Sequence, residues 1–580
     1  MAEHRTDVLI VGAGMGGIAA ALAAADGGSR VLLTCELEMV GGQLTSQLVP
    51  PDEHPHVERT GRTRSYASLR DGIRAAYGGV ENPGGGWVSR LCCEPAVAET
   101  VLRSMLQPHL DAGRVVLHTH WQPVRVERVG PRLTLVEFED GSRGTQIVRP
   151  DVVVDATELG DLLPLAEVPF AIGSEGSLAH GESHAIEGGP DPAAEQSCTW
   201  VVALELTDQP GAVGQPPTGY AATRDAQPFS LTLQGREGPQ PYRMFETGPA
   251  GHPPFWTYRR IRDGSVLGGN DVATINWSGN DFGGVGLVAD GGSARAGATE
   301  LTRSFVHWLR TEAPRDDGGR GYPELRPASE VTGTPDGMAL APYVRESRRI
   351  ADHEPITLHD IAPRPGHARA REWRDSVAVG WYHADLHRRV GHTQDAYIPT
   401  SPFQVPARAL SSATVENLLV GAKNICATQV AASATRLHPV EWAVGEAAGV
   451  IAATAMLAGV SPRDLLSLPS GVLGVQRTLL RRGAPIAWIT DITDDDPLFV
   501  GAQLLVTHGA LAEARAESLD LGMDQPMDPA VLSTLTNALA ALGISSRGSN
   551  PTSWTDAAGA VTYEGAPRTG RRHHDEGITR

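Results

Sequence analysis

Six consecutive residues near the start of the chain, Gly12-Ala13-Gly14-Met15-Gly16-Gly17, carry the spacing G-x-G-x-x-G. A loop of this kind exposes backbone N–H groups at the positive end of the helix that leaves it, and so receives anions, the pyrophosphate of a dinucleotide in particular. Gly12 permits the tight turn, Gly14 lets backbone approach the phosphates, and Gly17 lets the helix pack close to the strand before it. Glu36 stands nineteen residues after Gly17, where a carboxylate accepts hydrogen bonds from ribose hydroxyls.

Other segments hold groups capable of proton transfer. Trp381-Tyr382-His383-Ala384-Asp385-Leu386-His387 is dense in titratable side chains. On one face of a strand, His383, Asp385 and His387 point the same way, which suits an acid/base cluster; no further ligand spacing supports a metal, and none is expected. His438 stands just before a helical segment and is a candidate to move a proton or charge beside a cofactor. Arg345 and Arg348 flank Glu346; a guanidinium there suits bidentate carboxylate recognition or a structural ion pair. The candidate catalytic residues are His438, His383, Tyr382 and Arg345.

The elements that must position these groups follow from the apolar pattern. Asp7–Val11 reads as a buried parallel strand, the Ala-rich run after Gly17 as a helix closed by Gly27-Gly28, and Arg30–Thr34 as the next strand. Pro95–Ala112 has a helical pattern. Strands are expected at Val115–His118, Val124–Arg128, Leu133–Glu139, Thr145–Val148 and Asp151–Asp155. Residues 170–340 are rich in Gly and Pro, with strands expected at Thr199–Leu206, Tyr242–Phe245, Ser265–Leu267 and Ala273–Trp277. Trp256, Tyr258 and Trp277 there suit either core packing or the wall of a pocket. Asn417–Gly421 reads as a further buried strand, and Pro439 starts a long helix. Beyond it, Val472–Arg482, Val500–Arg515 and a segment from Asp528 to Leu542 read as helices.

Several segments in register resemble the FAD-dependent oxidoreductase family that includes the xanthan-lyase-like FAD proteins. They are the fingerprint, DATELGDLLPLAEVPFAIGSEG from Asp155, Phe255–Arg260, Ile275–Asp281, Tyr343–Arg349, Asn417–Asn424 and Ala443–Gly449. The resemblance runs from residue 7 to about residue 465. It implies an α/β fold: a Rossmann-like FAD-binding domain (1–170, returning at 341–465), an inserted mainly antiparallel β substrate domain (171–340), a small C-terminal helical appendage (466–562) and a polar tail (563–580). It implies FAD as cofactor, held by Gly12, Ala13, Gly14, Met15, Gly16, Gly17 and Glu36. Gly42, Gln43 and Thr45 follow on the Gly-Gly segment that leads towards the flavin in the glutathione-reductase-like class. Val124, Ala156, Thr157, Gly160 and Asp161 are expected near the last parallel strand, Lys423 and Asn424 in the return loop, and Pro439 and Val440 at the start of a helix facing the flavin. Its positive end would stabilise charge on a reduced flavin by about 1–2 kcal/mol. Two positions depart from the family pattern: Glu158 replaces a common Gly, and Lys423, the sole lysine of the chain, replaces a common Arg.

Composition narrows the partners. The formal net charge of −19 and the absence of a basic stripe argue against nucleic acid and against an anionic membrane surface. Five cysteines, Cys92 and Cys93 adjacent and the others scattered, make no disulfide or zinc framework, so a cytoplasmic setting is expected. A small-molecule substrate and oxygen or another electron acceptor are the expected partners, and a homo-oligomer is compatible. The leading reading is an oxidase or dehydrogenase that takes hydride from a C–H bond next to an alcohol or amine. A flavin monooxygenase and a non-catalytic FAD-binding protein stay open beside it. A disulfide reductase would need a C-x4-C motif, and the chain has none.

Overall fold

The computed structural model describes residues 2–235, 238–249, 251–509, 516–522 and 554–564. Strand β1 (Ala2–Val11) runs into the glycine loop, helix α1 (Met15–Asp26) leaves it, and β2 (Val31–Thr34) returns parallel to β1. Helix α1 is buried on every side from Met15 to Ala25, because it lies between the sheet and a second helix. Helix α2 (Pro95–Asp111) leads to β3 (Val115–His118), parallel to β2. β4 (Gln122–Val129), β5 (Arg132–Glu139) and β6 (Thr145–Asp155) form a meander, and β6 runs parallel to β1 along almost its whole length. The two strands expected at 145–148 and 151–155 are thus one. Pro150 interrupts nothing, because the pairing with β5 has ended at Val148 and no ladder bond on that side needs its missing N–H.

A second, antiparallel sheet lies within residues 171–340. It consists of β7 (Val202–Leu206), β8 (Arg260–Arg262), β9 (Val272–Ile275) and, after helix α3 (Gly291–Thr311), β10 (Leu325–Pro327), in the order β8-β9-β7-β10. Its core joins Leu204, Trp256, Ile275, Phe305 and Trp308. The expected strand at Ser265–Leu267 is instead a helical turn, Gly264–Leu267, because the Asp263 carboxylate caps the Ser265 N–H at 3.0 Å. Tyr242–Phe245 forms no strand: the N–H groups of Met244 and Phe245 turn to the Asp316 carboxylate, at 3.0 and 2.7 Å. Helix α3 was hidden by its Gly-Gly-Ser opening, which Asp290 caps by accepting from Ser293 N.

The chain then rejoins the first sheet as β11 (Leu418–Val420), parallel to β6, and α4 (His438–Ala458) packs on α1. The contact is backbone on backbone. A Cβ on Gly445 would lie 2.0 Å from Gly16 O, and one on Gly449 2.3 Å from Ala20 O. By length and composition α4 could cross a membrane, but here it is mostly buried inside the protein. Helix α5 (Pro469–Arg481) packs on α4, and α6 (Phe499–Thr507) packs on both α5 and α7 (Trp554–Glu564). The helix expected from Asp528 to Leu542 and most of the polar tail lie outside the described residues.

Candidate functional site

The glycine loop is built as its spacing requires. Gly12 has φ +104°, and a Cβ there would stand 2.2 Å from Ala156 O; a Cβ on Gly17 would stand 1.8 Å from Gly12 O. Strand, loop and helix therefore touch through bare backbone. Beside the loop lies a cavity lined by Gly12, Ala13, Gly14, Glu36, Gly42, Ala156, Thr157 and Asp161, all expected cofactor residues. The Asp155 carboxylate shapes its floor, accepting from Thr157 N and Oγ1 at 3.0 and 2.7 Å and from Leu162 N at 3.1 Å. A cradle of backbone at a helix N-terminus, with the Glu36 carboxylate farther along the same cavity, fits the dinucleotide half of FAD.

Other expected cofactor residues stand behind this lining. Gly16 and Gly17 serve helix packing, and Met15 is buried. Thr45 Oγ1 donates to Val40 O at 2.6 Å, Gly160 supplies a left-handed turn (φ +65°), and Asn424 Nδ2 donates to Asp155 O at 3.0 Å. Pro439 and Val440 are buried in the first turn of α4. Val124 is 42% exposed, and Pro123 lines the cavity instead. Neighbours on a strand face opposite ways, so an offset of one residue reverses the face. Ser46, on the same Gly-Gly segment as Thr45, also lines the cavity, as do Trp121, Gln47 and Arg295, which nothing in their local sequence marks.

The two departures from the family pattern meet each other. Lys423 Nζ pairs with the Glu158 carboxylate and lies 3.5 Å from Glu441 Oε2. Burial opposes the Lys423 charge, but the two carboxylates outweigh it and raise the lysine's pKa. Burial in turn raises the pKa of Glu441. Gln43 Nε2 donates to Glu441 Oε2 at 2.6 Å and Gly16 N to Glu441 Oε1 at 3.4 Å, so the glutamate ties α4 to the fingerprint loop.

One extended segment, Leu340–Arg345, separates this cavity from a second. Leu340, Ala341, Pro342 and Val344 line the first; Tyr343 and Arg345 line the other. The segment is held from both sides, with Ala341 N donating to Ser46 O at 3.1 Å, Val344 N to Gln47 Oε1 at 3.2 Å and Tyr343 N to Thr199 O at 2.7 Å. The second cavity has a volume of about 580 Å3 and is walled by Trp87, Tyr258, Trp277, Tyr343, Tyr382, His383 and Tyr397. Of the three aromatics whose role was open, Tyr258 and Trp277 line it, whereas Trp256 is buried in the core.

Charged groups in this wall form a chain. Arg345 donates to Thr199 Oγ1 at 2.8 Å, Asn276 Oδ1 at 3.1 Å and Asp281 Oδ1 at 2.9 Å. Asp281 Oδ2 accepts from His387 Nδ1 at 2.8 Å, and His387 Nε2 donates to Asp385 at 3.0 Å. Asp385 also pairs with Arg436, whose Nη1 donates to Tyr343 OH at 2.5 Å. Burial and Arg345 depress the His387 pKa, but Asp385 and Asp281 outweigh them and raise it, keeping the ring an imidazolium. Across the cavity Arg259 pairs with Asp52 at 3.1 Å.

Of the four candidate catalytic residues, Arg345, Tyr382 and His383 line this cavity and His438 does not. Asp52 N donates to His438 Nδ1 at 3.2 Å and His438 Nε2 donates to Val49 O at 3.1 Å. Both ring nitrogens are engaged with backbone, and burial pushes the pKa down to about 3. His438 thus orients the Val49–Asp52 segment at the start of α4 and has no lone pair left for a substrate. Among the described residues no cluster suits a metal ion. The sequence assigns no role to Asp52, Arg259 or Arg436, although Arg259 lies within the Phe255–Arg260 segment. Asn276 and Asp281 lie inside the marked Ile275–Asp281 segment, and both accept from Arg345.

A family model described as FAD dependent oxidoreductase matches residues 7–479. No curated protein matches the chain. Among solved structures, a geranylgeranyl bacteriochlorophyll reductase-like protein from Thermoplasma acidophilum is 11% identical over 93% of this chain and 99% of its own, with a TM-score of 0.31. The L-proline dehydrogenase from P. horikoshii is 17% identical over 27% of this chain and 23% of its own, at 0.17. The p-nitrophenol 4-monooxygenase PnpA from Pseudomonas putida is 13% identical over 36% and 48%, at 0.21. The chain spans less than half the length of the first solved structures it matches. None of these likenesses bears on the reaction.

Proposed function

This chain belongs to the FAD dependent oxidoreductase family, and from that premise we propose that it oxidises a C–H bond next to an alcohol or amine of a small organic molecule bound in the second cavity. The observation that carries this reading is the shared wall: within Pro342–Arg345, alternate residues line the dinucleotide cavity and the aromatic one. Bound FAD supplies the two-electron acceptor, which oxygen or another acceptor then restores. The chain's own part is to hold the substrate and to take the proton released from its oxygen or nitrogen. His387 is already protonated between two carboxylates, so the proton goes to His383, the other imidazole in the wall. His383 stacks on Tyr382, with ring centroids 4.1 Å apart, and packs at 5.2 Å from Tyr397, which fixes the ring's plane. The buried, unbridged cysteines accord with a cytoplasmic setting, which is part of the proposal.

The test is anaerobic. The purified protein is expected to show flavin absorbance that bleaches when a primary or secondary alcohol or an amine is added and returns with air. His383→Asn is expected to keep its FAD and slow bleaching by about 100- to 10,000-fold. Bleaching by NADH or NADPH but by no alcohol or amine would overturn this reading in favour of a monooxygenase. Retained FAD that nothing reduces would leave a binding protein.

A further inference from the structure

The charged groups of the second cavity are matched to one another. Arg259 pairs with Asp52, Arg345 with Asp281 and Arg436 with Asp385, and the His387 imidazolium bridges Asp281 and Asp385. Asp395, at the half-buried rim, accepts from Arg388 N at 2.6 Å and brings the carboxylates level with the cations, so the wall carries no net charge. An ion entering it would give up its hydration without gaining a counter-charge. The aromatic faces offer a cation no substitute, because guanidinium groups already lie over them. Arg259 stands over Tyr258 at 5.1 Å, and Arg345 and Arg436 over Tyr343 at 4.9 and 5.7 Å.

The hydrogen-bonding groups left for a ligand are uncharged. The Tyr382 and Tyr397 hydroxyls and Asn276 Nδ2 line the cavity, make no hydrogen bond among the described residues, and are not sealed off by packing. Asn276 Oδ1 accepts from Arg345 at 3.1 Å; a guanidinium only donates, so the amide is fixed with its donor side left over. Burial raises the pKa of both phenols and keeps them protonated. Their rings flank His383 at 4.1 and 5.2 Å. Tyr258 meets Trp87 at 5.0 Å and Trp277 at 5.3 Å, both edge-on, so the three rings form a slot for a flat apolar body and not a continuous stack.

We propose that the ligand of this cavity is an uncharged aromatic alcohol, its ring in the slot of Trp87, Tyr258 and Trp277 and its hydroxyl bonded by Tyr382 and Tyr397. This rests on reading the second cavity as the substrate site. It narrows the alcohol or amine of that reading to the alcohol, since an amine is an ammonium ion at neutral pH. Oxidation leaves an aldehyde or ketone: the carbon-bound hydrogen and both electrons go to the acceptor named above, and the hydroxyl proton goes to His383.

The test uses the full-length FAD-loaded protein and cumyl alcohol, which has no hydrogen on the carbon beside its oxygen and so binds without turnover. The comparison ligands are cumylamine, a cation, benzoate, an anion, the ring-hydrogenated analogue of cumyl alcohol, and cumene, which lacks the hydroxyl. Binding is read by calorimetry and from the flavin difference spectrum. Cumyl alcohol is expected to bind about tenfold or more tightly than either ion and than the hydrogenated analogue. Tyr382→Phe combined with Tyr397→Phe, checked for retained FAD and unchanged melting, is expected to weaken cumyl alcohol about tenfold and leave cumene unchanged. No binding of cumyl alcohol, or binding of cumylamine or benzoate as tight, overturns the uncharged ligand without help from any variant. Equal binding of the hydrogenated analogue overturns the aromatic slot. Equal losses for cumene and cumyl alcohol in the variant overturn the hydroxyl seat. Cumyl alcohol binding with no bleaching of the flavin by any alcohol or amine leaves this inference standing and removes the redox reading. Bleaching by benzylamine but not by benzyl alcohol does the reverse.

Discussion

At the scale of single residues, the positions that looked irregular are the ones that explain each other. A carboxylate at 158 beside a glycine loop meant for phosphates is unfavourable by itself, and a buried lysine is unfavourable by itself. Together with Glu441 they form a compact ion cluster at the edge of the dinucleotide cavity. Removing one partner of a buried pair costs about 3–5 kcal/mol, because the other charge is left without compensation. Lys423→Met is therefore expected to lower the melting temperature and to weaken FAD retention, with two carboxylates left beside the pyrophosphate seat. Differential scanning calorimetry and FAD release on dilution measure both. The double variant Lys423→Met, Glu158→Gln is expected to recover part of the loss, and no recovery would show that the two side chains act independently.

At the scale of elements, α1 and α4 are held by the absence of side chains. Gly16, Gly445 and Gly449 bring the two helices into backbone contact, and this brings the first turn of α4, with Glu441, onto the fingerprint loop. Gly445→Val would place its Cβ 2.0 Å from a carbonyl oxygen of α1, where neither backbone can yield. Overpacking of this kind costs typically 1–3 kcal/mol and here at least the upper end. The variant is expected to lose FAD as well as stability, read by melting and by the ratio of flavin to protein absorbance. Gly474 makes the contrast: it lies inside α5 with open space where its Cβ would be. Gly474→Ala is expected to stabilise by about 0.5–1 kcal/mol with FAD unchanged.

At the scale of the whole molecule, buried ionisable groups set the pH dependence of folding. His387 has a raised pKa in the folded state, so its contribution is complete below about pH 6.5 and is lost as pH rises through the folded value. Burial pushes His54 and His438 down to about 3, so protonation of the unfolded chain takes stability away as pH falls below about 6.5. Asp281 and Asp385, depressed by Arg345, His387 and Arg436 against burial, add a loss as pH falls below the ordinary carboxylate value. The melting temperature is expected to peak near about pH 6.5 and to fall on both sides. His387→Gln is expected to flatten the alkaline limb. A profile that stays level from mildly acid to mildly alkaline pH would contradict the ionisation states assigned to these four side chains and His54.

What the sequence determined by itself is the local part. The strand, glycine turn and helix at residues 7–26 are specified by consecutive residues: only backbone without Cβ fits between Gly12, Gly17 and Ala156, and an alanine-rich run beside it has one good conformation. The meander, the return strand and α4 were legible for the same reason, each being a continuous pattern of one period, and the family followed from motifs in register. The second cavity was only half legible. Arg259, Tyr343, Arg345, Tyr382 and His383 sit in marked segments, but those segments and the stretches that hold Asp52 and Arg436 converge only when the antiparallel sheet closes on the first one. His438 shows the limit most directly. Its type and place before a helix suited proton transfer, and only the packed backbone of Val49 and Asp52 takes up both its nitrogens. Hydrogen bonds between distant segments leave no trace in local spacing, so the tertiary structure alone decided which polar residues face the cavity and which hold the chain around it.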